Sequence, residues 1–313
     1  MGKVHKYRKK PLRFLSLTGF TVTEFDALLV EFERQFYQRM EKYTLTGKKR
    51  ERRRYVDYQN CPLYGSDEKL FFILSYCKTY PLQEVQAALF HLRQPKANQW
   101  IHGLIVVLRA TLAALNELPA RTMQTLMLQL KGQRLFFHDG TERPILRPSD
   151  PEQQRLYYSG KAHAHTVKNN LLIDLTCRIL FLTPTVEGKM HDKKLADQTK
   201  YTLPPQSCLS QDNGFQGFSQ DGVAILQPKK KPKGKSLSDL DKDVNQWHAS
   251  LRIRIEHAIG GVQRMRIVKD KLRNHKDGFR DLVMELCCGL HNFRLKFRPW
   301  SYDPLQLHLF VDF

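Results

Sequence analysis

Long apolar runs are missing from this sequence. None of about 18 consecutive apolar residues occurs in its 313, so no membrane-spanning helix is expected. Paired cysteines are missing too. Cys61, Cys77, Cys177, Cys208, Cys287 and Cys288 form no C-x-x-C pair, which excludes zinc-ribbon spacing and leaves reduced, buried thiols as the expected state. Met1 to Arg13 is basic but holds no apolar stretch of the secretory kind, so no secretory signal is expected. Acidic residues are scarce. Against 51 Lys and Arg stand 31 Asp and Glu, giving a formal charge of +20 and a pI near 9.7. Such an imbalance drives copies of the chain apart, and its usual reason is a polyanionic partner. Nucleic acid is the expected one, because phosphate neutralisation supplies most of its affinity.

What is present is enough for a real core: 41% of residues are hydrophobic, and the length suits two domains. Residues 1–15 read as a basic arm carrying Lys3, Lys6, Arg8, Lys9, Lys10 and Arg13. Thr21 or Thr23 can cap a helix whose apolar stripe is Phe25, Leu28, Leu29, Phe32 and Phe36. The cluster Lys48 to Arg54 follows, a solvated loop or a phosphate-contacting one. Three helical patterns then occupy residues 67–116: Glu68 to Cys77, Leu82 to Leu92 with Leu82, Val85, Leu89 and Leu92 as its stripe, and Lys96 to Asn116. A short helix, a turn and a helix with a polar start is the helix-turn-helix layout. In it Lys96, Asn98 and Gln99 would face the major groove, where amides suit adenine edges and Lys suits guanine or phosphate.

After Leu130 the texture changes to strand formers. Strands are expected at 134–138, ending in Asp139, at His163 to Asp174, at Cys177 to Leu182, at Cys208 to Gln211 and at Val223 to Gln227. A helix fits Asp192 to Lys200, a basic loop Pro228 to Lys235, a long helix Ser238 to Val268, and a last helix Phe279 to Phe297. Three strands, a helix, two more strands and closing helices follow the order of the RNase H-like fold. The expected class is therefore α+β, an N-terminal all-α helix-turn-helix region before an RNase H-like mixed-sheet nuclease domain. The expected boundaries are a basic arm at 1–15, a helical DNA-binding region at 16–130 and the nuclease domain at 131–313.

Asp139 and Asp212 stand at the ends of strands that lie side by side in that topology, and Glu256 lies in the long helix. Phosphodiester cleavage without a covalent intermediate needs water activated and charge at phosphorus stabilised, and two divalent cations held by converging carboxylates do both. Taken singly, an Asp before Gly is a turn residue, and Glu256 beside Arg252 is an i, i+4 ion pair. Asp192, the main rival for a metal role, follows His191 at a helix start, where an N-cap is the preferred reading. His163 and His165 alternate with alanines and should share one strand face, DNA-facing or in the core, with Lys161 and Lys168 touching phosphate nearby.

The stretches HDGTERPILRP, KAHAHTVK, EGKMHDKKLAD, QDNGFQG and RIRIEHAIGGVQRMRIVK, in this order and spacing, resemble bacterial insertion-sequence transposases of the DDE superfamily, in the branch related to Harbinger elements. The resemblance covers roughly residues 16–298. It implies that Asp139, Asp212 and Glu256 are the catalytic, metal-binding triad, with Mg²⁺ (or Mn²⁺) as cofactor. It further implies binding of terminal inverted repeats, strand cleavage and strand transfer on double-stranded DNA, assembly as a dimer or larger, and a bacterial cytoplasmic, nucleoid-associated location. Phe215 stands where relatives usually carry Tyr. Arg252 matches an Arg that many carry four residues before the Glu, and Gln263 replaces a Lys seven after it, leaving Arg264 as the candidate phosphate contact. The alternative is a catalytically inactive, transposase-derived DNA-binding protein.

Overall fold

The computed structural model describes residues 2–300 apart from Arg53, Arg54, Lys131, Lys200 and Lys235. The ends of both basic loops, Arg53–Arg54 and Lys235, and the tail 301–313 thus lie outside the described residues. Seven helices come first: α1 (Lys3–Arg8), α2 (Pro11–Thr18), α3 (Val22–Lys42), α4 (Ser66–Thr79), α5 (Gln83–Leu89), α6 (Gln94–Ala114) and α7 (Met123–Leu130). α3 begins at a capping box. Glu24 N–H donates to Thr21 Oγ1, and Thr21 N–H donates to Glu24 Oε2, at 3.2 and 2.7 Å, so two otherwise unpaired donors are satisfied at once. Its buried face is Phe25, Leu28, Phe32 and Phe36, as the spacing predicts.

Two expectations for this region need correction. The basic arm is helical. Glu68 accepts the N–H groups of Lys3 and Val4 at 3.0 Å each, placing a carboxylate at the positive end of α1, while Val4 and Phe14 are buried. A contact made across more than sixty residues is invisible to local reading. In α5 the apolar stripe faces outward: Leu82, Val85 and Leu89 are 58, 46 and 54% exposed. Gln86, Ala87 and Phe90 are buried instead. The Gln86 amide donates to Phe72 O at 3.0 Å and Phe90 meets Phe72 edge-on at 4.9 Å, and together these contacts set the roll of the helix.

The remainder alternates strands and helices: β1 (Leu135–Pro144), α8 (Pro151–Tyr157), β2 (Tyr158–Ser159), β3 (Ala164–Ile173), β4 (Ile179–Leu182), β5 (Val186–Glu187), α9 (Asp192–Thr199), β6 (Ser207–Gln211), β7 (Val223–Leu226), α10 (Asp239–Gln263), α11 (Arg266–Lys269) and α12 (Phe279–Leu295). β3 runs antiparallel to β1 on one side and to β4 on the other, with short β2 and β5 also paired to β3. β6 lies parallel to β1, and β7 parallel to β6. The long strands therefore run in the order β4-β3-β1-β6-β7, a mixed α+β sheet.

β1 does not stop at Asp139, because β3 pairs with it as far as Pro144↔Thr166. His163 precedes β3 in a turn with φ 48°, so it does not share a strand face with His165. The long helix breaks at Arg264–Met265, where buried Met265 turns extended at φ −83° and ψ 107°.

One continuous core joins α1 to α6, one sheet face and α10 to α12, and a smaller one fills the opposite sheet face. Cys77, Cys177, Cys287 and Cys288 are buried, Cys61 and Cys208 half-buried, and all six are free. Among the described residues no helix is long and apolar enough to cross a membrane.

His291 in α12 is a buried strut. Its Nε2–H donates to Cys177 O at 2.9 Å, and its ring fills the space that a side chain on Gly261 would need. Burial pushes its pKa down to about 4, only partly opposed by that hydrogen bond. Between the ordinary value of 6.5 and about 4, the unfolded chain binds a proton that the native one refuses, so stability falls as pH falls through this window. His291→Gln should make the unfolding free energy from urea titrations less sensitive to acidification, by up to about 3 kcal/mol. An equal pH slope in variant and wild type would refute this.

Candidate active site

β1 and β6 are parallel neighbours with His138 opposite Gln211, so the next residues, Asp139 and Asp212, come side by side where β6 ends. Beyond Gln211 the chain makes a 3₁₀ turn, Asn213–Phe215, capped by Asp212 Oδ1, which accepts from Gly214 N–H at 2.8 Å. Phe215 is fully buried, its ring 4.2 Å from that of His138. The aromatic after Asp212 thus pins the turn to the residue preceding Asp139. His138 is itself buried beside Tyr201, which lies 3.1 Å from Nδ1, and burial holds its pKa down at about 3.

Asp139 Oδ1 accepts from Gly140 N–H at 2.8 Å, and Oδ2 accepts from Arg252 Nη2 at 2.7 Å. Both side chains are 17% exposed. Burial pushes the Asp139 carboxyl up to about 6; Arg252 pulls it down, while the Asp212 and Asp192 carboxylates push it further up. α10, which carries Arg252, is fixed over the parallel strands by buried His248. Its Nε2 lies 3.1 Å from Ser210 Oγ and donates to Leu226 O at 3.0 Å.

Glu256 stands one turn beyond Arg252 on α10 and is exposed. It is not gathered with the two aspartates: among the described residues no group of three His, Cys, Asp or Glu could hold a metal ion. Two of the three expected donors come together, and a guanidinium supplies the positive charge beside them. Carboxylate oxygens suit a hard divalent cation, and the mutual repulsion of Asp139 and Asp212 is what such an ion would relieve. The fit to a metal therefore rests on this pair.

Asp192 differs from its reading as a helix cap. It is the first residue inside α9, and its carboxylate meets Lys168 Nζ at 3.1 Å. It lies against two glycines: a Cβ on Gly140 would come within 2.7 Å of Asp192 Oδ1, and one on Gly214 within 3.3 Å of Oδ2. The signal was in the sequence, in the glycines that follow Asp139 and Asp212, since glycine marks close approach. Which residue approaches was not legible.

The other expected contacts scatter. Lys161 is exposed in the turn before β3. Lys168 points inward, donating to Met190 O at 3.0 Å as well as meeting Asp192. Arg264 is the exposed C-cap of α10, and Lys78 Nζ donates to its carbonyl at 3.0 Å. At the start of α6, Lys96 is exposed and Gln99 half-buried. Asn98 Nδ2 is already engaged with Gln83 Oε1 at 2.9 Å.

A strand-borne aspartate beside a second at the end of a parallel neighbour, under a helix bearing Arg and Glu, is an arrangement suited to phosphodiester chemistry. Residues 138–292 match the family described as DDE superfamily endonuclease. More particularly, the chain is similar to the insertion-sequence transposases. It is 31% identical over 170 residues to the probable transposase for insertion sequence element IS702 of Microchaete diplosiphon, a match covering 54% of this chain. The matched part spans 60% of that relative's length. No solved structure matches the chain.

Arg252→Ala should leave Asp139 facing only like charges, so its carboxyl should titrate above its present value of about 6. Carboxyl-carbon NMR against pH reads this directly; an unchanged or lower value would show that Arg252 is not the compensating charge.

Proposed function

We propose that this chain is a DNA transposase of the Harbinger-related branch, which binds the terminal inverted repeats of its element and carries out strand cleavage and strand transfer. The observation that carries the proposal is that Asp139 and Asp212 each follow directly on the last β1–β6 partners, His138 and Gln211, within the region that matches DDE endonucleases. The strand order β4-β3-β1-β6-β7, with the first three strands antiparallel and the last two parallel to β1, supports an RNase H-like assignment. The succession α4, α5, α6, with Lys96 exposed at the start of α6, supports a helix-turn-helix within a DNA-binding region 16–130 ahead of a nuclease region 131–313.

In this reading Asp139, Asp212 and Glu256 hold the divalent cations, Mg²⁺ or Mn²⁺. When bound, these would supply Lewis acidity to the phosphate and lower the pKa of water. With a cation held there, the Asp139 carboxylate would no longer need Arg252 as its counter-charge, and the guanidinium would be free to pair with a DNA phosphate. Glu256, one turn along the same face of α10, would be the third donor. Water attacks the phosphate in line and the P–O3′ bond breaks, leaving a 3′-OH and a 5′-phosphate; that 3′-OH then attacks a target phosphodiester at the same site and displaces the target strand's own 3′-OH. Lys96, Asn98, Gln99, Lys161, Lys168 and Arg264 are the proposed contacts to DNA. Among these, Lys168 would act through Asp192, and Asn98 would have to leave Gln83. Two element ends call for two sites, hence a homodimer or larger assembly on DNA, working in the bacterial cytoplasm at the nucleoid.

Cleavage of labelled linear DNA carrying the element's ends tests this. Asp139→Asn, Asp212→Asn and Glu256→Gln should each lose nicking while keeping DNA binding. Normal cutting by Asp212→Asn would refute the triad. A wild type that binds the ends but never cuts with either cation would leave the inactive, transposase-derived DNA-binding protein as the reading. Lys96→Ala should weaken binding and reduce the slope of log affinity against log salt by about one; an unchanged slope would remove Lys96 from the phosphate contacts.

A further inference from the structure

The loop between α3 and α4 folds back beside the start of α6, and together they line an open cavity of about 920 Å³. Tyr55, Val56, Tyr58 and Trp100 contribute aromatic and apolar walls, and Lys96 and Gln99 of α6 contribute polar ones. The loop crosses α6 closely: the Leu45 carbonyl lies where a Cβ on Gly103 would come within 2.9 Å. Lys48, Lys49 and Arg52 are exposed on the same loop, and Arg50 sits over the Tyr55 ring at 5.7 Å.

This loop is pinned from beneath. Asp57 accepts from fully buried Lys69 at 2.6 Å and from Gly65 N–H at 3.1 Å, and the Tyr55 hydroxyl donates to it at 3.3 Å. Tyr55 also packs edge-on against Phe36 at 5.5 Å. With Asp57 held inward, its neighbours Val56 and Tyr58 turn outward, 49 and 68% exposed. Burying the Lys69 charge is costly unless it is paired, so the loop's shape is specified at some expense. What that shape presents is an aromatic platform next to amides and cations.

Basic groups that track a backbone, interleaved with aromatic faces on which bases stack, form the surface that single-stranded nucleic acid recognises. The volume lies within the roughly 300–1,000 Å³ of sites that bury small ligands. That accommodates a nucleotide, whereas a duplex keeps its base faces stacked out of reach. We propose that this cavity takes an unpaired nucleotide of the DNA, its base stacked on Tyr58, its edge read by Gln99 and its flanking phosphates held by Lys96, Lys48, Lys49 and Arg52. The proposal rests on the chain acting on DNA and adds that it handles a strand whose pairing has been opened beside α6.

The test uses the full chain, without divalent cation, titrated into a single-stranded oligonucleotide containing 2-aminopurine and into the same sequence as a blunt duplex. The fluorescence should be quenched on binding of the single strand. Tyr58→Ala should weaken single-strand binding about tenfold, with duplex affinity within about twofold and Tyr58→Phe close to wild type. If Tyr58→Ala changes neither affinity, or lowers both equally, the cavity is not a base site. If the wild type binds neither form, the DNA-handling reading falls with it. Tyr58 is largely exposed, so its replacement tests the surface without disturbing the core.

Discussion

The parallel pairing of β1 with β6 is the constraint from which the rest of the arrangement follows. Parallel neighbours cannot be joined by a tight turn. The chain must leave the end of β1, build β3, β4 and α9, and return to start β6 beside its own beginning. That detour brings two aspartates together where β6 ends, in the middle of the sheet. It also leaves α9 with its first residue, Asp192, lying against Gly140 and Gly214. The packing of Phe215 on His138 locks the turn after β6 to β1, tying the position of Asp212 to that of Asp139 through the core and not through surface loops.

Electrostatics work against this geometry, and the structure compensates locally. In a chain of formal charge +20, the site concentrates negative charge in a partly buried place. Arg252 offsets it from one side of β1 and Lys168 from the other, through Asp192. A buried carboxylate loses its hydration, and only a nearby cation or a proton makes up the loss. Arg252 is one such cation; a divalent ion or the protonation of Asp139 are the alternatives. A site with several available counter-charges is suited to exchanging one for another when substrate arrives.

Much was legible in the residues. A capping threonine at 21 or 23 and the Phe25 to Phe36 stripe announce α3, because both act within a few residues of each other. The apolar runs around Phe136, Leu171 and Leu180 announce strands for the same reason, and the expected positions of β3, β4, β6, β7 and α9 agree with the structure to within a residue or two. The failures share a cause as well. The outward roll of α5, the helical start of the chain and the break after Gln263 were all decided by distant partners: Phe72 for Gln86, Glu68 for Lys3 and Val4, and the burial of Met265. In the site, the turns and the strand order point to Asp139 and Asp212, while the helix-start position of Asp192 by itself suggests a cap.

The sequence by itself determined the chemistry available: a surplus of cations that calls for a polyanion, thiols spaced for no metal, and a few aspartates and a glutamate at punctuated positions. These are properties of composition and of neighbours in the chain, and no folding is needed to express them. Only the tertiary structure decided which carboxylates meet, which cation faces them, and that Lys96 and Gln99 border a cavity lined by the α3–α4 loop. Such pairings depend on contacts between residues far apart in sequence, whose choice is made by packing and burial and leaves no local periodicity to read.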